Sequence, residues 1–187
     1  LDLSEAASLV SIAFGAFFVT DITGTLVIPA NVKTIRDAAF YQTKLAGLDL
    51  MNAASLVSIG IDAFRDTDIT GTLVIPAKVE TIGFAAFYQT KLAGLDLTNA
   101  ASLVSIGDTA FRDTDITGTL MIPANVKTIG LYAFRLTKLT GLDLSQATSL
   151  VTIGKRAFGE ISNLEGTLVI PANVKTIGVN AFRETKL

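Results

Sequence analysis

The sequence predicts a repeat solenoid: a right-handed superhelix of about eight coils of 23–25 residues, built around a parallel β-sheet. Three observations lead there. The segment GTLVIPANVKTI at 24–35 returns as GTLVIPAKVETI at 71–82, GTLMIPANVKTI at 118–129 and GTLVIPANVKTI at 166–177. Between these copies lies a second unit, beginning Gly-Leu-Asp-Leu at 47, 94 and 141. An Ala-Phe pair recurs at 16, 39, 63, 86, 110, 133, 157 and 181, once per coil. Self-similarity at this period marks a stack of coils that bury a shared core. The coils run 1–23, 24–46, 47–70, 71–93, 94–117, 118–140, 141–165 and 166–187, as one domain.

Each coil has the same predicted parts. Leu-x-Leu or Leu-x-Ile alternates with period two, so Leu48 and Leu50 point inward and Asp49 outward. Such strands, one coil apart, stack about 4.8 Å from each other. Eight coils then span about 34 Å. Val32-x-x-Ile35 and its equivalents supply a second inward row, and Ala-Phe a third. Pro29, Pro76, Pro123 and Pro171 end the strand in alternate coils, because Pro removes a ladder donor. Glycines before the strand and after the Ile read as corners or close coil-to-coil contacts.

The motif Leu-x-Ile-Pro-x-x-Val-x-x-Ile, followed by Ala-Phe, is carried by Leu26-Val27-Ile28-Pro29, Val32, Ile35 and Ala39-Phe40. It returns from Leu73, Leu120 and Leu168. It resembles the BspA-type leucine-rich repeat, a family of microbial surface and secreted proteins, and the resemblance runs the whole length of the chain. It implies a leucine-rich-repeat fold, an extracellular or cell-surface location and a role in adhesion or protein binding. The family often has Cys three residues after the Phe. Here Thr20, Thr43, Thr67, Thr90, Thr114, Thr137 and Thr185 take that place, with Ile161 in the seventh coil.

Composition narrows the chemistry. Half the residues are hydrophobic and 17% are charged, with a net charge of −2. That lacks the basic footprint of a nucleic-acid binder. There is no His and no Cys. Imidazole bases, thiolate nucleophiles, disulfides and zinc-thiolate sites therefore do not arise. No run approaches the ~20 apolar residues of a membrane span, so direct membrane insertion is not expected. Nor is a cofactor. Asp66-x-Asp68 and Asp113-x-Asp115 recur, but Lys91 occupies the same place in the coil between them. No metal site is expected.

Two polar patterns remain. Four residues after each Phe the chain reads Asp21, Lys44, Asp68, Lys91, Asp115, Lys138, Ser162 and Lys186. The alternation sets coil register, since a one-coil slip would oppose like charges. Ser11, Thr34, Ser58, Thr81, Ser105, Thr128, Thr152 and Thr176 form a hydroxyl column, too narrow alone to specify an ice surface.

The outward strand position reads Asp2, Val27, Asp49, Val74, Asp96, Met121, Asp143 and Val169. Its centre, Asp49, Val74, Asp96, Met121 and Asp143, is the candidate protein-binding stripe. Every Asp belongs to a regular column and none to a singular pocket, so no catalytic residue is assigned. The expected function is a non-enzymatic interaction or adhesion module, with a host, matrix or other cell-surface protein as partner. The alternative is an architectural spacer or assembly unit without a ligand. Leu1 enters mid-coil and Leu187 stops where the next Gly-Leu-Asp-Leu would begin. The chain thus reads as part of a longer array, able to associate end to end through uncapped coils.

Overall fold

The computed structural model describes all 187 residues. It is a parallel β-solenoid without helix. Fourteen short strands alternate between two sides of the coil: β1 (Ser11–Ile12), β2 (Thr23–Val27), β3 (Thr34–Ile35), β4 (Lys44–Asp49), β5 (Ser58–Ile59), β6 (Thr72–Val74), β7 (Thr81–Ile82), β8 (Gly94–Asp96), β9 (Ser105–Ile106), β10 (Thr117–Met121), β11 (Thr128–Ile129), β12 (Lys138–Asp143), β13 (Thr152–Ile153) and β14 (Thr176–Ile177).

The continuous sheet lies where the Val-x-x-Ile row was expected. It is eight-stranded, in the order β1-β3-β5-β7-β9-β11-β13-β14, which gives seven coil-to-coil steps. The Leu-x-Leu strands do not form one stack. They pair only two by two, as β2–β4, β6–β8 and β10–β12. Spacing explains the difference. From Ile35 to Phe40 and from Ile59 to Phe64 the count is five residues in both coil types, so these segments can ladder throughout. From Leu48 to Ile59 the Leu coil uses eleven residues, where the Pro coil uses nine from Leu26 to Ile35. On that side one register cannot run through every coil, and the break falls at every second step.

The core is one cluster of 46 buried residues. Its spine is the Phe column. Phe40, Phe64, Phe87, Phe111, Phe134 and Phe158 are fully buried, and consecutive rings from Phe17 to Phe182 stack at 5.1–5.6 Å. The Thr beside this column is buried without an unmet hydrogen bond. Thr43 Oγ1 donates to the Phe40 carbonyl at 3.1 Å, and Thr67, Thr90, Thr114 and Thr137 repeat the bond to their own Phe. Ile161 fills the position with hydrocarbon in the seventh coil.

Around each Phe the chain turns through two left-handed residues, such as Ala38 (φ 53°) and Gln42 (φ 52°). Fifteen non-glycine residues adopt this conformation, each against a cost of about 1–2 kcal/mol. The compensation is a second ladder. Ala38, Phe40 and Gln42 donate their N–H groups to the next coil's Ile61, Ala63 and Arg65 carbonyls at 2.7–2.9 Å. Of 104 backbone hydrogen bonds, 87 lie outside the named strands. Many of these run from one coil to the next, so turn-to-turn bonds hold the solenoid together alongside the strand ladders. Gly83 shows how closely its coils approach, since a Cβ there would lie 2.6 Å from the Gly60 carbonyl carbon.

Candidate functional site

Every residue of the candidate stripe closes a strand. Asp49 ends β4, Val74 ends β6, Asp96 ends β8, Met121 ends β10 and Asp143 ends β12. Register then sorts them into acid–aliphatic pairs: Val27 faces Asp49, Val74 faces Asp96, and Met121 faces Asp143. The backbone joins each pair, since Ile28, Ile75 and Ile122 donate to the Asp49, Asp96 and Asp143 carbonyls at 3.0 Å. Val27 and Met121 are each 45% exposed. The three aspartates and Val74 are half-buried.

The carboxylates are fixed locally. Oδ1 of Asp49, Asp96 and Asp143 accepts the backbone N–H two residues on, from Met51, Thr98 and Ser145, at 2.7–2.8 Å. This Asx turn directs the chain out of the strand. Hydrogen bonds from the hydroxyl and N–H of Thr98 hold the Asp96 carboxyl below the usual range. The Ser145 N–H and then its hydroxyl do the same for Asp143. None of the three makes an ion pair inside the chain. The row is thus pre-oriented negative charge without a cationic partner.

Three depressions run beside the stripe, one at each of three Pro coils, which the column pattern does not predict. They measure about 310, 340 and 280 Å³ and contain Pro29, Pro76 and Pro123 respectively. Val27, Val74 and Met121 line one each. The longer Leu-coil turns border the shorter Pro turns, and the difference in turn length was the available signal. The middle depression differs from the others. Asn31, Asn125 and Asn173 donate across the coil step to the carbonyls of Ala7, Ala101 and Thr148, whereas Lys78 stands at this position in the fourth coil.

The alternating charges on the connecting loops form discrete couples. Lys44 meets Asp21 at 2.7 Å, Lys91 meets Asp68 at 2.6 Å and Lys138 meets Asp115 at 2.6 Å. These couples flank the two-stranded sheets at the start of their strands, Lys44 and Lys138 being the first residues of β4 and β12. Hydrogen bonding to Lys44 lowers the Asp21 carboxyl and raises the Lys44 ammonium. Asp66 instead lies 3.4 Å from Arg65 Nε, so the two members of Asp66-x-Asp68 serve different cations. A further column, one residue after the Phe, escaped the sequence reading. Phe18 stacks on Tyr41 at 5.0 Å, Arg65 lies between Tyr41 and Tyr88, and Arg112 lies over Tyr88 at 5.4 Å.

Comparison with known proteins agrees with this geometry. The sequence matches the model of the BspA type leucine rich repeat region in six copies, over residues 2–111 and 57–187. The chain belongs to this family. No curated protein matches the sequence. Among solved structures, the BspA-type solenoid is similar to the pneumococcal vaccine antigen PcpA, with a TM-score of 0.56 and 18% identity over 88% of this chain. It spans 57% of that chain. A leucine-rich repeat protein from Bacteroides ovatus also matches, at 17% identity and a TM-score of 0.28, over 94% of this chain and 80% of its own.

Proposed function

We propose that this chain is a non-enzymatic protein-interaction module of a microbial surface or secreted protein, acting in adhesion. The observation that carries the reading is the stripe itself. Asp49, Asp96 and Asp143 alternate with Val74 and Met121, are held by Asx turns, and have no ion-pair partner in the chain. Acidic groups select a basic partner, while the aliphatic ones and the adjoining depressions supply surface that desolvates readily. Family membership and the fold shared with a pneumococcal vaccine antigen support this reading. The partner would be a host, matrix or cell-surface protein lying across several coils, because one coil offers too little of the ~800 Å² that a specific interface needs per side.

The test changes Asp49, Asp96 and Asp143 together to Asn. Asn still accepts the same turn hydrogen bond, so the fold should persist with an unchanged circular dichroism spectrum. Binding of a lysine-rich extended peptide should weaken and its association should slow, more so at low salt. A triple variant that binds the peptide as fast and as tightly as the parent would remove the stripe from consideration. Attention would then move to the edge at Arg65-Asp66 and Arg112-Asp113.

A further inference from the structure

A second stripe lies on the eight-stranded sheet, in the residue just before each strand. It reads Val10, Lys33, Val57, Glu80, Val104, Lys127, Val151 and Lys175. Its backbone ladders without a break. Each residue from Lys33 to Lys175 donates its N–H to the member one coil earlier, at 2.8–2.9 Å. Lys33, Glu80, Lys127 and Lys175 are exposed, and none has an ion-pair partner in the chain.

The two stripes are complementary. On the first, acids stand on odd-numbered coils and aliphatics on even ones. On the second, aliphatics stand on odd coils, while even coils carry Lys except for Glu80. Both repeat every two coils, about 9.6 Å at the usual strand spacing. A surface with the same pitch stays in register over the whole ~34 Å length, and a second copy of this repeat has that pitch by construction. We propose that the acidic stripe of one copy docks side by side on the lysine stripe of another, making the module homophilic.

With the two copies antiparallel and all coils overlapping, Asp2 faces Lys175, Asp49 faces Lys127 and Asp143 faces Lys33. Between them Val27 faces Val151, Val74 faces Val104 and Met121 faces Val57. One opposition is unfavourable: Asp96 faces Glu80. Any Asp–Lys register in which Glu80 lies opposite a first-stripe position of an odd coil brings an acid to it, whichever way the copies run, because all four charged positions of the second stripe share the even coils. Each copy uses different stripes for its two neighbours, so the contact is heterologous and can continue into higher assemblies. A contact ~34 Å long must be about 24 Å wide to reach ~800 Å². The hydroxyl column and the proline-lined depressions therefore lie at its margins.

This inference rests on the acidic stripe being the binding face, and its test separates the two. Sedimentation velocity of the chain at about 20 mM salt should show reversible self-association that disappears at about 500 mM, where screening shortens to a few ångströms. Changing Lys33, Lys127 and Lys175 to Glu makes both stripes acidic, and that variant should stay monomeric. Changing Asp49, Asp96 and Asp143 to Lys makes both basic, with the same result. An equimolar mixture of the two variants should associate again. The single change Glu80→Lys replaces the one repulsion and should tighten self-association several-fold, so the proposal stays testable even if a triple variant fails to fold. A monomeric parent at low salt, or a mixture that stays monomeric although both variants are folded, overturns it. So does association that survives both charge changes, which would run through the coil ends. Loss of lysine-peptide binding in the Asp→Asn triple variant, with no self-association of the parent, would leave the proposed function standing and remove only the homophilic partner.

Discussion

Phe111→Ala tests whether the aromatic column is the structural spine. Phe111 is fully buried and stacked between Phe87 at 5.3 Å and Phe134 at 5.4 Å. A Phe side chain removes roughly 150–250 Å² from water, worth about 4–6 kcal/mol at about 25 cal/mol per Å². Ala retains part of that burial, and the change also removes two ring stacks and leaves a cavity. The expected loss is about 3–5 kcal/mol. Position should modulate it, because a coil in a solenoid is coupled only to its neighbours. Phe182 stacks on one ring and is only partly buried, so Phe182→Ala should cost less than half as much. Urea denaturation of parent and both variants measures this. The Phe111→Ala transition should also broaden, since the two halves of the array lose their coupling. An unchanged midpoint, or equal losses at the two positions, would refute the column as a cooperative spine.

Lys78→Asn should raise stability by about 0.5–1 kcal/mol, by restoring to the Ala54 carbonyl the cross-coil bond that Asn31 and Asn125 make in their coils; a lower urea midpoint would show that Lys78 has a structural role of its own. Stability should be flat between about pH 5 and pH 9 and fall on both sides. The depressed Asp96 and Asp143 carboxyls contribute above the unfolded value near 3.8, a contribution lost as pH falls through their folded values. The raised Lys44 and Lys91 ammoniums contribute below about 10.5, a contribution lost as pH rises through their folded values. Urea midpoints across this range should show no step between about pH 6 and pH 7, the range where His titrates, because the chain has no His.

Most of the core was legible because each inward column repeats one residue type. Ala-Phe, Val-x-x-Ile and the strand leucines are all buried, apart from half-buried Leu48 and Leu95 and the terminal coils. The continuous sheet lies on the Ile side and not on the Leu-x-Leu side that alternation predicts, because spacing decides where strands can stack. Leu-x-Leu alternates more plainly than the two-residue Thr-Ile strands, but a stacked sheet needs equal residue counts between columns in successive coils, and only the Ile-to-Phe side has them. The left-handed residues were hidden for another reason. Ala38, Gln42, Asp62 and Thr109 share no side-chain chemistry, and it is the coil-to-coil hydrogen bonds donated by their own backbone N–H groups that make the conformation worthwhile.

The candidate stripe came through in composition and gained its grouping from the structure. The sequence shows a column in which acids and aliphatics alternate. The strand pairing divides it into couples, Val27 with Asp49, Val74 with Asp96 and Met121 with Asp143. The loop ion pairs flank the same strand couples, whereas each depression straddles them, lined by a Pro coil and the Leu coils on both sides of it. The surface therefore repeats every two coils, although the unit that folds is one. The Ala, Phe and Ile columns of the core do not tell a Leu coil from a Pro coil. Surface columns do tell them apart, and that is why a ligand matched to this surface must carry a two-coil period. A single rigid group fits one couple, whereas an extended partner with side chains about 9.6 Å apart engages every couple in turn and gains effective concentration with each one.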